Sequence, residues 1–465
     1  MLVDGQPRVA CVTPVGRVAG RDVATLDGLD PVVRDALVEA FDRTAASQCG
    51  FCTPGIVVRL AALGRRGHVD DRAVRMALAA HLCRCTGFQP IVEAALGALA
   101  GAPLPPPRDA TAAAARATLE SGTAQGAGPA VVRGLAPFAD DTAPSDAAVA
   151  LGATREGYVL AGSFSEARAR AGVRQGRNST VALSHPVAVP SGAFDLVLQT
   201  TWVEPAYLEP DASWCAPRGT PASPSANAGD FGAKARSAIA QDVARLADGS
   251  PRPVRARWTR EAVVLRGTKR PPLALGLRAD GTGVVRLART PGSEPVDPLV
   301  EAVRRCAPAV VVEVVDVAGP RVGTTHRGAA VAEVLAALAV LAAGADGVCR
   351  VTAPSGGRAA VAVRDSAISV ELDAGAPLCA ATVRSYAIGA VHQAYSMVTT
   401  EGIAVSVDLT IRSFGVTPAR AVPPVEVAVA ASSTDPVPAG PAVFAATLAA
   451  VWLAEGAGPR WPTRR

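Results

Sequence analysis

The chain has 465 residues, too many for one ordinary hydrophobic core, and we expect two or three domains. Its 46 basic and 41 acidic residues are spread along the sequence, which argues against a nucleic-acid-binding surface. The longest apolar stretches, 334–343 and 442–454, are shorter than the roughly 20 residues that cross a bilayer, and no signal region follows Met1. We therefore expect a cytoplasmic location, with no membrane and no nucleic-acid partner.

The first 29 residues are expected to form short extended pieces and turns. Four short helices should follow between residues 30 and 103. The first is capped by Asp30, the second begins at Thr53, the third is capped by Asp70 and runs through Leu82, and the fourth begins at Pro90. Four short helices with tight connections predict a small helical bundle.

The rest of the chain has a different pattern. Residues 104–130 are rich in Pro, Ala, Gly and Thr without an amphipathic period, which predicts an interdomain linker. From residue 131 to 465, short Val-rich strands, the first at 180–183, alternate with helices. This indicates an α+β region with two possible subdomains and a boundary near residue 330. The expected fold class is therefore α+β and multidomain.

Nine cysteines in a protein expected in the cytosol favour metal binding over disulfides, because cytosolic thiols stay reduced. Five stand alone and are expected to behave as small apolar groups: Cys11, Cys215, Cys306, Cys349 and Cys379.

The other four cysteines form two close pairs. Cys49 and Cys52 lie on a turn before the second helix, and Cys83 and Cys85 lie between the third and fourth helices. Four thiolates at one end of a bundle predict a metal site. A structural zinc ion would accept four cysteines, but one C-x2-C and one C-x-C pair favour a [2Fe-2S] cluster.

These two motifs resemble the cluster-binding helical domain of the xanthine dehydrogenase and aldehyde oxidase family, the molybdenum hydroxylases. The matching segments are Gln48–Gly55 and Leu82–Phe88. The resemblance implies a helical [2Fe-2S] domain fused to a shortened molybdopterin-binding region, with Gln48 contacting the pterin. It also implies that Cys11 corresponds to the last ligand of a second cluster, so that residues 1–29 are a remnant of a ferredoxin-like domain.

A looser resemblance continues to the C-terminus. It implies that Glu204 faces the substrate, that Phe231 and Gly232 belong to a glycine-rich turn beside the metal-dithiolene group, and that Arg327 lies beside cofactor or substrate. Asp230 departs from the pattern by adding a carboxylate to that turn. The alternatives are that Glu204 and Glu209 are surface carboxylates on a loop, and that Arg327 is an ordinary salt-bridged arginine.

Two further departures concern catalysis. Between Gly328 and Asp373, about 45 residues replace a longer family insert that wraps the pterin. At Gly440–Phe444, where the family supplies a glutamate that deprotonates the metal-bound hydroxyl, this chain has no carboxylate.

We expect an iron–sulfur oxidoreductase that passes electrons between a molybdopterin site and FAD on a partner subunit while hydroxylating a heterocycle or aldehyde. One alternative is a degenerate electron-transfer or assembly subunit without hydroxylase activity. Another is an interaction scaffold whose four cysteines bind zinc.

Overall fold

The structure is a computed structural model that describes residues 1–153, 157–172, 182–405 and 415–464. The strand expected at 180–183 begins outside the described residues. The helices are α1 Pro31–Arg43, α2 Thr53–Gly64, α3 Asp71–Ala77, α4 Gln89–Ala100, α5 Ala110–Ser121, α6 Pro129–Val132, α7 Phe164–Ala171, α8 Ile239–Asp248, α9 Arg260–Arg266, α10 Asp297–Cys306, α11 Val331–Leu341, α12 Ala380–Thr399 and α13 Gly440–Ala454.

The strands are mostly short. They are β1 Leu2–Val3, β2 Gln6–Pro7, β3 Val23–Ala24, β4 Ala148–Gly152, β5 Val159–Ala161, β6 Leu196–Gln199, β7 Ala212–Cys215, β8 Val254–Trp258, β9 Leu273–Leu277, β10 Gly283–Arg289, β11 Val310–Asp316, β12 Cys349–Thr352, β13 Arg358–Arg364, β14 Ala367–Asp373 and β15 Val425–Val429.

The four helices expected between residues 30 and 103 are present as α1 to α4. Their starts follow from local chemistry, because the Asp30 carboxylate accepts from the N–H of Val32 and the Asp70 carboxylate accepts from that of Ala73. Helix α3 ends at Ala77, five residues earlier than expected, because the following residues form the turns that lead to Cys83.

The stretch expected to be an irregular linker contains helix α5, so that expectation was wrong for residues 110–121. Asp109 caps the helix by accepting from the N–H of Ala112. An Ala-rich segment with one buried arginine shows no apolar and polar alternation, which is why its sequence does not reveal the packed face.

The chain divides into two compact units that are not continuous in sequence. The first unit comprises Met1–Ala136, Arg364–Gln393 and Thr417–Gly440. The second comprises Pro137–Val363, Ala394–Val416 and Pro441–Arg465. This division differs from the continuous domains expected from the sequence.

In the first unit, α1 packs on α2 and α4, and α3 packs on α2 and α4. The core of this bundle contains the fully buried residues Leu37, Phe41, Ile56, Leu60 and Ile91. Burying each of these side chains contributes about 1.5–3 kcal/mol, which holds together helices too short to be stable alone. A small sheet, β2-β1-β3, and the parallel pair β14–β15 complete the unit.

The second unit contains two four-stranded sheets, with strand orders β5-β4-β8-β7 and β11-β10-β9-β6. Each sheet mixes parallel and antiparallel pairs. Helix α8 packs on the first sheet, where Ile239 and Val243 meet Trp258 in one buried cluster. Helices and sheets in both units confirm the α+β class. Among the described residues, no helix is long and apolar enough to span a membrane.

Candidate metal centre

Two loops of the first unit carry the four cysteines. Cys49 lies in the turn before α2, and Cys52 is the N-cap residue of that helix. Gly50 between them has φ +84°, and a Cβ there would lie 2.7 Å from the Val131 side chain, so this turn requires glycine. Cys83 and Cys85 lie in the irregular segment between α3 and α4.

The cysteine sulfurs form two pairs, and each pair joins one loop to the other. The Sγ atoms of Cys49 and Cys85 are 3.6 Å apart. The thiol of Cys52 is hydrogen-bonded to that of Cys83. Two irons that each take two thiolates match this arrangement. Within the described ranges, no three His, Cys, Asp or Glu side chains form a group suited to a single metal ion.

The electrostatics of the thiols follow from this pairing. The hydrogen bond with Cys52 lowers the pKa of Cys83 to about 6. The same hydrogen bond, together with burial, raises the pKa of Cys52 well above its usual value. The hydrogen bond with Cys49 likewise raises the pKa of Cys85 well above its usual value. Cys83 is therefore the sulfur best prepared to be a thiolate, the form that binds metals.

Helix α12 supports the second cysteine loop from a distant part of the sequence. Gln393 Nε2 donates to the carbonyl oxygen of Arg84 at 2.9 Å, and the rings of His392 and Phe88 meet edge to face with centroids 5.7 Å apart. Gly389 lies directly against the backbone of Cys85. The cysteine motifs themselves do not point to these residues.

Gln48, the expected pterin contact, is buried in the first unit. Its Nε2 donates to Ser385 Oγ at 3.0 Å, and that hydroxyl donates to the carbonyl oxygen of Ala45 at 2.8 Å. The Gln48 amide therefore also ties the first cysteine loop to α12. Its contact with a pterin remains a prediction.

In the second unit, the structure brings together three residues expected near the cofactor. The Arg327 guanidinium lies 3.8 Å from the centre of the Phe231 ring, and the Arg327 N–H donates to the Phe231 carbonyl at 3.1 Å. Gly232 has φ +89°, and a Cβ there would lie 2.6 Å from the Thr325 carbonyl oxygen. The turn thus offers close backbone approach beside a positive charge, which fits an anionic cofactor.

The segment that lacks the family's glutamate also lies beside Arg327. The Phe444 ring is 5.9 Å from the Arg327 guanidinium and 5.3 Å from that of Arg270. An aromatic ring is therefore next to Arg327 in the segment where the resemblance implies a carboxylate.

Sequence reasoning missed Arg270 as a residue that positions the Arg327 loop. Its guanidinium makes two hydrogen bonds to Glu333, at 2.7 and 2.6 Å, and both side chains are buried. It also donates to the carbonyl oxygen of His326 at 2.6 Å. This anchor fixes the position of the loop, and only a bidentate arginine provides all these bonds.

The acidic residues of this region are buried, so the alternative of surface carboxylates was wrong. Glu204 is 3% exposed and lies 2.9 Å from Lys269 Nζ, while Glu209 forms a buried ion pair with Lys234. The Asp230 carboxylate accepts from the N–H of Lys234 at 2.8 Å, and burial raises its pKa. A substrate contact for Glu204 remains a prediction.

A family model described as a [2Fe-2S] binding domain matches residues 25–96. A probable xanthine dehydrogenase subunit from Bacillus subtilis is 36% identical over 96 residues, which are 20% of this chain and 56% of that protein. The nicotine 6-hydroxylase small subunit from Paenarthrobacter nicotinovorans is 39% identical over 99 residues, 21% of this chain and 60% of that protein. The chain thus spans less than two thirds of either relative.

The fold likeness extends over the whole chain. The aldehyde oxidoreductase from Desulfovibrio gigas superposes with a TM-score of 0.68 at 13% identity, covering 100% of this chain and 93% of that one. The aldehyde oxidoreductase from Desulfovibrio desulfuricans gives 0.66 at 14% identity, with 99% and 93% covered. At these identities the likeness establishes the fold, and together with the domain match it confirms the resemblance seen in the sequence.

Proposed function

We propose that this chain, a member of the molybdenum hydroxylase family, is an iron–sulfur oxidoreductase whose [2Fe-2S] cluster is bound by Cys49, Cys52, Cys83 and Cys85. The pairing of their sulfurs across two loops carries this proposal. Support also comes from the position of all four inside the segment that matches a [2Fe-2S] binding domain. Such a cluster accepts and releases one electron at a time.

The proposed electron path joins the cluster to a molybdopterin site and to FAD on a partner subunit. Phe231, Gly232 and Arg327 would hold the cofactor, because their turn combines close backbone approach with positive charge. When bound, the cofactor supplies the two-electron oxidation of a heterocycle or aldehyde. Gln48 would contact the pterin and Glu204 the substrate.

We also propose a cytoplasmic location. All nine cysteines lie among the described residues, and none of them forms a disulfide bond. Reduced thiols of this number are typical of proteins kept in a reducing compartment.

A second candidate function is an electron-transfer or assembly subunit without hydroxylase activity. The observation that favours it is Phe444, an aromatic side chain beside Arg327 in the segment where a general base is expected. Glu204, the only acidic side chain that we propose to face the substrate, is also held in an ion pair with Lys269.

Metal analysis of the anaerobically purified chain, with iron, molybdenum and zinc quantified together and a visible spectrum recorded, separates these functions. Two irons per chain with stoichiometric molybdenum support the hydroxylase. Iron without molybdenum supports the electron-transfer subunit. Zinc without iron contradicts both of these functions and supports an interaction scaffold whose four cysteines bind zinc.

The ligand assignment is tested by Cys52→Ser. We expect this change to remove most of the visible absorbance of the cluster and to lower the thermal unfolding temperature, because ligand loss takes binding energy out of folding. The control is Cys306→Ser, at the half-buried end of α10 in the second unit. An unchanged spectrum in Cys52→Ser would refute the assignment.

A further inference from the structure

Asp230 places a carboxylate in the turn that would hold the cofactor. We propose that Asp230 is a positioning residue, whose carboxylate keeps residues 230–234 in the conformation that brings Phe231 against Arg327. This inference rests on the proposed function, because the position of Arg327 matters for the reaction only if the turn holds an anionic cofactor.

The backbone of this turn is strained. Phe231 has φ +51° and Gly232 has φ +89°, and the N–H of Ala233 donates to the Asp230 carbonyl at 2.9 Å. Two central residues with positive φ are typical of a type I′ turn, which favours Gly, Asn or Asp at both positions. Phe231 has a bulky side chain in a region that such residues rarely adopt, so neighbouring contacts must hold it there.

The Asp230 side chain provides such contacts. Its carboxylate accepts from the backbone N–H of Lys234 at 2.8 Å and from the Ser225 hydroxyl at 3.3 Å. These bonds join the segment before the turn to the residue that follows it. Asp230 is 4% exposed, and Ser225 and Lys234 are also buried. The carboxylate is therefore bound within the unit, where it closes the turn.

The Arg327 loop depends on the conformation of this turn. The Phe231 carbonyl accepts from the N–H of Arg327 at 3.1 Å, and the centre of the Phe231 ring lies 3.8 Å from the Arg327 guanidinium. The Gly232 carbonyl accepts from the Thr325 hydroxyl at 2.6 Å. Loss of the bonds to Asp230 should therefore loosen the turn and the Arg327 loop together.

The first measurement is amide hydrogen exchange, followed by mass spectrometry, on the full chain and on two variants. In Asp230→Ala, we expect the amides of Lys234 and Arg327 to exchange roughly tenfold faster, because the carboxylate bonds that keep the turn closed are lost. Asp230→Asn should keep the slow exchange, since its carboxamide oxygen can accept the same two bonds. Unchanged exchange in Asp230→Ala, or equally fast exchange in Asp230→Asn, would overturn the proposal.

The matched control is Asp140→Ala, in the same unit. The Asp140 side chain is 12% exposed and accepts two hydrogen bonds, from Arg255 at 2.6 Å and from Arg257 at 3.2 Å. This variant should unfold at a lower temperature and keep slow exchange at Arg327. Equal acceleration in Asp140→Ala and Asp230→Ala would mean that the second unit loosens as a whole, which would contradict a positioning role.

Molybdenum content gives an independent readout. We expect Asp230→Ala to contain roughly tenfold less molybdenum per chain than the parent, with iron unchanged, and Asp230→Asn to contain as much as the parent. More molybdenum in Asp230→Ala would mean that the carboxylate repels the cofactor, which would overturn the proposal. A parent chain without molybdenum would contradict the proposed hydroxylase, and hydrogen exchange would still decide whether Asp230 positions Arg327.

Discussion

Gly389 of helix α12 lies where any side chain would overlap the carbonyl group of Cys85. The close approach brings the helix backbone against a residue that we propose as a cluster ligand. A glycine inside a helix weakens that helix, so its presence at 389 is explained by the contact it permits.

We expect Gly389→Ala to destabilise the first unit by about 1–3 kcal/mol, because the Cys83–Phe88 loop must move away from α12. The measurement is urea unfolding followed by circular dichroism, with visible absorbance recorded in parallel. The control is Gly55→Ala in α2, where a Cβ would meet no atom within 4 Å. That change should stabilise the helix by about 0.5–1 kcal/mol. Equal stability of the two variants would contradict this account of Gly389.

His392 makes stability depend on pH. Burial lowers its pKa from 6.5 to about 4, although a hydrogen bond with the Thr417 carbonyl opposes the shift. The folded chain therefore keeps the ring neutral while the unfolded chain protonates it near pH 6.5. Its contribution to stability is complete above pH 6.5 and is lost as the pH falls towards 4.

The parent chain should lose stability between pH 7 and pH 4. We expect His392→Gln to reduce this loss by up to about 3 kcal/mol. The free energy of unfolding in urea, measured across this range, gives the comparison with the parent chain. His68→Gln is the control, because the His68 side chain is 83% exposed. If His392→Gln and the parent chain lose stability in parallel, the buried histidine is not the cause.

At the scale of elements, helix α5 anchors a distant segment within the first unit. Arg116 and Glu120 form an ion pair on α5 with both side chains fully buried. Arg116 Nη2 donates to the Val437 carbonyl at 3.0 Å, and Glu120 accepts from the backbone N–H groups of Ala439 and Gly440 at 2.9 Å. Because α5 is a helix, it holds these two side chains in fixed positions from which they bind the backbone of residues 437–440. A flexible linker would not.

Removing one member of this ion pair should be costly. We expect Glu120→Ala to lower the free energy of unfolding by about 3–5 kcal/mol, because it leaves the Arg116 guanidinium buried without its carboxylate. Glu39→Ala on α1 is the control, since the Glu39 side chain is 65% exposed and its loss should cost less than about 1 kcal/mol. Denaturant unfolding measures both. Similar losses in the two variants would contradict the anchoring role of this buried ion pair.

At the scale of the whole molecule, the first unit depends on segments far apart in the chain. Residues 364–393 and 417–440 belong to the same unit as residues 1–136. Gln89 illustrates the dependence, because its side chain donates to the Val425 carbonyl at 2.8 Å and accepts from the Val425 N–H at 2.9 Å. A fragment limited to 1–136 would lack these partners.

We therefore expect a fragment of residues 1–136 to lose its visible absorbance in air faster than the full chain and to unfold at a lower temperature. The reason is that the loops carrying the cysteines would lose their buried contacts with α12. Parallel absorbance and circular dichroism measurements on both proteins provide the comparison. A fragment as stable as the full chain would show that these contacts contribute little.

The sequence by itself determined the features that depend on neighbours a few residues apart. These are the spacing of the cysteines, the capped starts of α1 and α3, and the α+β class. Helix caps and turns form between residues that are close in the sequence, so the residue types at those positions are enough to predict them. The family resemblance extended this reading to the cofactor turn and to Arg327.

Only the tertiary structure decided which groups meet. It paired Cys49 with Cys85, directed the Thr86 hydroxyl at Cys83, and joined Gln393 to the Arg84 carbonyl across 309 residues. It also showed that Glu204 is buried against Lys269 and that residues 110–121 form a helix. Such contacts arise from packing between segments distant in the chain, and no local periodicity encodes them.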